Sequence, residues 1–317
     1  MNKYQLLIFI FLLPFCSLQK EWIIQETGIS DGIHDIEMID DHTGYAYSYG
    51  TGKLLKTKNG GQSWDQIAQF DSLYFEQIQF IDNDYGFICG ENNTIMKTSD
   101  GGDTWIDCHI MQESDNNLIY GMYFINEQTG LVSVLKSENG NTSSKIYQTS
   151  NGGETWELIN SLPYMVLNVE KVGIEIWGTG PGVILRNIDQ KDQWTDVFID
   201  STRSIGQVRD IAMDQKGKIL AVSFTGKVLI KEPDHEEWEI AEVTTNRLRS
   251  VTWYGKNKWL IAGDKNTDED CTLFETTDNG QNWEKVKNEF PDIHRIYITR
   301  KYVWIAGKEG FIAKMRI

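Results

Sequence analysis

Arg209, Arg249 and Arg295 stand near the starts of three successive apolar stretches, in the pairs Arg209-Asp210, Arg249-Ser250 and His294-Arg295. Earlier stretches of the same kind carry His34-Asp35, Glu76-Gln77, Tyr120-Gly121 and Leu167-Asn168. Brought together, these residues could do one of three things. Three guanidiniums could grip a substrate carboxylate while a Tyr backed by a Glu attacks a glycosidic bond. Two carboxylates about 6.5–9.5 Å apart could hydrolyse a glycoside with inversion. Failing either geometry, a mixed-charge rim could recognise a peptide or a sugar through charge-assisted hydrogen bonds. Other chemistries lack support. His34, His42, His109, His235 and His294 show no ligand spacing, and no C-x-x-C pair, G-x-S-x-G elbow or phosphate-cradling Gly-rich loop occurs. No catalytic residue, metal or cofactor is therefore expected.

What positions such a set is a repeat. Thr57-Lys58-Asn59-Gly60-Gly61-Gln62-Ser63-Trp64 returns as Thr98 to Trp105, Thr149 to Trp156 and Thr276 to Trp283, always with Thr seven residues before Trp. Asx-Gly pairs favour tight turns because Gly and Asx tolerate positive φ. The Asx side chain can bond backbone amides two residues on, the Ser or Thr before the Trp can add a bond, and the Trp can bury its ring with its indole N–H on a carbonyl. Each copy reads as a folding clasp with structural residues Asn59, Gly61 and Trp64; Asp100, Gly102 and Trp105; Asn151, Gly153 and Trp156; Asp278, Gly280 and Trp283. Four such turns cannot converge on one substrate.

Around the clasp runs a longer unit of four strands. An apolar-alternating strand is followed by Asp/Asn and Gly, a Gly-rich strand, a third strand ending in Lys-Thr, the clasp, and a strand opened by Trp. Units one, two, three and six carry the clasp, whereas units four (Val166 to Trp194) and five (Val208 to Trp238) keep the rhythm without it. Unit three has an insertion about Lys136 to Thr142, and unit six an acidic one, Asp264 to Asp270, read as a solvated loop. Successive Trp spacings are 41, 51, 38, 44 and 45, and only 34 residues follow Trp283, enough for three strands. The missing fourth is supplied by Glu21-Trp22-Ile23-Ile24-Gln25 at the other end of the chain. The expected fold is all-β: a seven-bladed β-propeller of four-stranded antiparallel blades, closed by the N-terminal strand completing the last blade. Trp22→Ala should then cost about 3–5 kcal/mol.

In such a ring the paired residues listed first line the mouth of the central channel, where inner strands begin. The candidate binding rim is His34, Asp35, Glu76, Tyr120, Asn168, Arg209, Asp210, Arg249, His294 and Arg295, with Tyr120, Trp253 and Tyr254 as candidate aromatics. Asp35 and Asp210 fall on blades one and five, roughly opposite, and are expected to lie too far apart for a hydrolytic pair.

The clasp matches the Asp-box, or bacterial neuraminidase repeat, which sialidases, sortilin-type receptors and xyloglucan hydrolases share. The whole unit, apolar strand, D-x-x-G-[YFW], G-x-G and I-[LM]-K-T-x-[DN]-G-G-x-[TS]-W, resembles the photosystem II stability/assembly factor family over nearly all of residues 20 to 317. The resemblance implies a non-catalytic, chaperone-like propeller on a lumenal or periplasmic side, binding a membrane-protein assembly intermediate. Photosynthetic members are expected to present an Arg-rich face; this chain holds eight Arg in an acidic background. The sialidase Arg-Ile-Pro signature is absent near the N-terminus, and xyloglucan hydrolases use two propellers where this chain has one.

The 317-residue chain opens with Met1-Asn2-Lys3 and a ten-residue apolar run, Leu6 to Phe15, too short to span a bilayer and right for a signal peptide over residues 1–19. Residues 20–317 are expected as one propeller domain. Phe15 is wrong for the lipobox that would acylate Cys16, so anchoring there is not expected. A net charge of −16 argues against nucleic acid and anionic membrane surfaces. Beyond the leader, Cys89, Cys108 and Cys271 are too few for a disulfide framework, and Cys89 and Cys108 are read as small buried hydrophobes. The reading is a secreted or periplasmic, monomeric, protein-binding propeller with no later transmembrane segment. The alternative is a carbohydrate-active propeller, which would need a deep pocket with a raised-pKa carboxyl.

Overall fold

The computed structural model describes residues 21–70, 73–113, 117–138, 140–187, 194–266, 272–286 and 289–317. The leader, Cys16, Cys271 and most of the acidic insertion lie outside them. The described residues form 28 strands in seven antiparallel sheets of four, each sheet one blade. The inner strands are Ile33–Met38, Phe75–Phe80, Leu118–Phe124, Asn168–Val172, Val208–Met213, Leu248–Gly255 and Ile293–Ile298. Trp22–Gln25 is the outer strand of blade seven, antiparallel to Ile312–Arg316 with Trp22 opposite Met315 and Gln25 opposite Ile312. The ring therefore closes as the Trp periodicity requires. Among the described residues no helix is long and apolar enough to cross a membrane.

Each sheet is apolar on both faces because each face meets another blade. The buried side chains fall into seven clusters, and every cluster straddles one blade–blade interface. Phe87 of blade two stacks on Phe124 of blade three at 3.4 Å, and Tyr45 of blade one on Phe80 of blade two at 3.4 Å. Cys89 and Cys108 are free and buried in the cluster between blades two and three.

The clasps are wider than tight hairpins. In blade two the third strand ends at Thr98 and the outer strand begins at Ile106, so the whole motif is the connection. Thr98 Oγ1 donates to Asp100 Oδ1 (2.8 Å) and accepts the Gly102 amide (2.9 Å). Asp100 Oδ1 accepts the Thr104 amide four residues on, not two, at 2.8 Å, and the Thr104 hydroxyl donates to Oδ2 (2.5 Å). The other three copies repeat the Thr bonds and the amide four residues on, but in blades one and three the Asn side chain donates to the Ser63 or Thr155 hydroxyl, and in blade six Asn282 Nδ2 donates to Asp278 Oδ2. Gly101 and Gly102 sit at φ 73° and 94°; in blade six Asn279 takes the first of these positions at φ 68°. The indoles differ from one another. Trp105 donates to the Gly102 carbonyl (3.1 Å) and Trp156 to that of Cys108 (2.8 Å), whereas Trp64 and Trp283 have no indole acceptor among the described residues.

The Lys that precedes the clasp Thr has its own role. Lys56 Nζ of blade one donates to the Gly101 carbonyl in the clasp of blade two (2.9 Å). Lys97 of blade two does the same to Gly152 (3.4 Å), and Lys314 of blade seven to Gly60 (2.5 Å). Blade five has Ile230 at that place, and Lys218 reaches the Asn279 carbonyl instead (2.7 Å). Every clasp is thus capped from the preceding blade.

A candidate binding site at the channel mouth

Inner strands start on one face of the ring, and the clasps lie on the other. The mouth is a shallow cavity of about 60 Å³ lined by His34, Asp35, Glu76, Gln77, Tyr120, Leu167, Asn168, Arg209, Arg249, His294 and Arg295. That volume holds about two waters. Of the ten expected rim residues, nine line it; Asp210 is buried one layer deeper, on the wall of a 480 Å³ cavity at the clasp end of the channel.

Two of the expected rim residues are occupied by the ring itself. Asp35 Oδ2 accepts the Ile78 amide of blade two (3.2 Å), and Asp210 Oδ2 accepts the Val251 amide (2.9 Å) and the Ser250 hydroxyl (2.6 Å) of blade six. The same step recurs around the channel. Glu37 holds the Phe80 amide, Gln77 and Gln79 those of Met122 and Phe124, Glu170 that of Ile211, and Ser250 that of Ile296. Between blades three and four no side chain fits: a Cβ on Gly121 would come within 2.8 Å of the Val169 amide nitrogen. These polar inner-strand residues join one blade to the next.

Arg295 ties this set together. Its Nε lies 3.5 Å from Asp35 Oδ1 and its Nη1 3.2 Å from Asp210 Oδ1. The two carboxylates expected to be far apart flank one guanidinium. Burial works against Arg295's charge, but Asp210 and Asp35 outweigh it and hold the arginine charged. Deeper still, burial pushes Glu37 up to about 8, and burial with Asp210's charge pushes Glu170 well up. Asn168 spends its amide on Glu170 Oε1 (2.7 Å). Burial and Arg249 bring His294 down to about 4, so it is neutral and donates from Nδ1 to the Ile33 carbonyl (2.8 Å).

What is left facing solvent divides into two arcs. On blades one to three, His34 Nε2 lies 3.6 Å from Glu76, and its ring leads to Tyr49 (5.2 Å) and on to Tyr74 (5.3 Å), with Tyr120 beside them in the mouth. On blades five and six, Arg209, Arg247 and Arg249 surround the Phe224 ring at 5.4, 5.7 and 5.1 Å. Arg249 is held by Asp264 (2.5 and 2.9 Å), so the first residue of the expected solvated insertion reaches back to the mouth. Arg209 has no hydrogen bond or ion pair among the described residues, and burial lowers its pKa. Tyr49, Tyr74, Phe224 and Arg247 were not among the expected site residues. Tyr49 and Phe224 each directly follow a second strand, in the turn that rises beside the mouth, and that position was the available signal. Of the other candidate aromatics, Trp253 lines the clasp-end cavity and Tyr254 is buried with its hydroxyl on Glu275.

The chain is a closed Asp-box propeller with Asp35 and Asp210 committed to structure and a shallow, two-armed mouth. Residues 68–267 match the family described as photosynthesis system II assembly factor YCF48, and the chain belongs to that family. It is 26% identical to a photosystem II assembly lipoprotein Ycf48 of Prochlorococcus marinus over 78% of this chain and 73% of the relative. It is 24% identical to the photosystem II assembly protein Ycf48 of Thermosynechococcus vestitus over 78% and 70%. Among solved structures, a YCF48 bound to a D1 peptide superposes with a TM-score of 0.74 at 19% identity, covering 93% of this chain and 97% of the other.

Proposed function

We propose that this chain is a non-catalytic, extracytoplasmic assembly factor that holds an extended segment of a partner protein across the channel mouth. Family membership and the peptide carried by a solved relative support the class of function. Arg209 carries the placement. A guanidinium in the mouth with no acceptor of its own, flanked by Phe224 and Tyr120, suits a carboxylate or backbone carbonyl of an incoming peptide. Tyr49 and Tyr74, 44% and 38% exposed, would anchor its apolar side chains. A cavity of about 60 Å³ is too small for a sugar ring, and the carboxylates nearest the mouth's floor are bound to Arg295 and backbone amides, which weighs against a glycosidase.

A fluorescently labelled D1 peptide, titrated against the protein and followed by anisotropy, tests the reading. Arg209→Ala should weaken binding roughly 10- to 100-fold, the size of a charge-assisted hydrogen bond. Binding unchanged in Arg209→Ala and in Tyr49→Ala would place the segment elsewhere.

A further inference from the structure

Arg186 of blade four occupies the position from which the cationic counterparts Lys56, Lys97 and Lys314 each cap a clasp. It pairs with Trp177 across the strands as Lys56 pairs with Tyr45, Lys97 with Phe87 and Lys314 with Trp304. Its guanidinium lies over the Trp177 ring at 5.9 Å, as Lys56 lies over Tyr45 at 4.9 Å and Lys314 over Trp304 at 5.0 Å. Those lysines end on a turn carbonyl of the next blade. Blade five offers none, because its connection, Glu232-Pro233-Asp234-His235-Glu236-Glu237, has the clasp's length but Pro in place of the Asx and no glycine. Arg186 Nε is buried without a hydrogen-bond acceptor, and its ion pair with Glu175 is long, at 3.9 Å.

In place of the contact is a cleft of about 240 Å³ between blades four and five. Ile174, Trp177, Met213, Ile219 and Pro233 supply its apolar wall, and Ile174 is 90% exposed. Glu175 also lines the cleft, with Arg186 as its ion-pair partner, and the remaining charged wall residues are engaged elsewhere. Glu232 pairs with Lys218 (2.7 Å), and Lys231 Nζ donates to the His235 and Glu236 carbonyls. The cleft opens on the clasp face, away from the mouth.

We infer that this cleft is a second binding site, which takes an acidic segment of a partner protein. A carboxylate on Arg186 replaces the missing turn carbonyl, and a neighbouring apolar side chain packs on Trp177, Met213 and Ile174. The guanidinium has donors to spare, and a carboxylate meets it with a full negative charge in bidentate geometry, where its lysine counterparts meet only a neutral carbonyl.

The test titrates the full chain with acetyl-Leu-Asp-amide and, separately, acetyl-Leu-Asn-amide, following the Arg186 Nε–H and Trp177 indole signals by NMR. The Asp peptide should move both signals, and the Asn peptide should bind at least about tenfold more weakly. Arg186→Gln should abolish the response, whereas Lys97→Gln, a cap already occupied, should leave it intact. A second variant, in which the sequence of residues 99–104 replaces residues 232–237, restores a clasp beside Arg186 and should also abolish binding. Unmoved signals, equal binding of the two peptides, or binding that survives Arg186→Gln or the grafted clasp would overturn the site. Mouth binding of the D1 peptide is read separately and is unaffected by any of these outcomes.

Discussion

Arg295, Asp35 and Asp210 show how the same residue types can serve a scaffold or a site. An Arg between two carboxylates could prepare a substrate pocket, but here each carboxylate also holds an amide of the next blade. Removing the guanidinium leaves two buried carboxylates unpaired. Arg295→Met should therefore destabilise the fold by about 3–5 kcal/mol, measured by urea unfolding at neutral pH. Glu37 gives a pH signature. Burial raises its folded pKa to about 8 from the ordinary 4.5, so the folded state keeps the proton longer than the unfolded chain. Its contribution is complete below about pH 4.5 and is lost as the pH rises to about 8. Glu37→Gln keeps an acceptor for the Phe80 amide and cannot ionise. It should lose roughly a few kcal/mol less than the wild type between pH 5 and pH 8, and parallel pH curves for the two proteins would count against this account.

At the scale of the element, the clasp is a turn that satisfies its own polar groups and receives one more bond from the neighbouring blade. Thr98 is buried and makes two of those bonds, so Thr98→Val should cost about 1–3 kcal/mol. Lys97→Gln should lower stability measurably, since Lys97 caps the Gly152 carbonyl, whereas Arg186→Gln should leave it within about 0.5 kcal/mol, since Arg186 caps nothing. Thermal melts of the two variants side by side separate an occupied cap from an orphaned one. The Asx-Gly signal announced the turn and its positive φ. The bonds four residues on, and the reach of Lys to the next blade, were not legible, because each depends on a backbone path that the pairwise signal does not contain.

For the molecule as a whole, closure is the main determinant of cooperativity. Each apolar cluster belongs to two blades, and the cluster between blades six and seven is completed by Trp22 packing edge-on to Phe290 at 5.8 Å. Trp22 is only half-buried, so Trp22→Ala should cost about 2–3 kcal/mol, less than full burial implies. Denaturant unfolding of that variant should remain a single transition for all blades, because no blade has a core of its own.

Sequence alone determined the blade count and the closing strand, since four strands per Trp period and a one-strand shortfall at the C-terminus leave one ring that satisfies both. The repeated unit also carried the resemblance to the family, which residues 68–267 match. Tertiary structure alone decided which polar residues at the inner-strand starts are spent. Whether Asp210 faces a ligand or the Val251 amide, and whether Arg186 finds a carbonyl, depends on how a neighbouring blade is placed to within an ångström. Hydrogen bonds form or fail over that distance, and residue order carries no record of it.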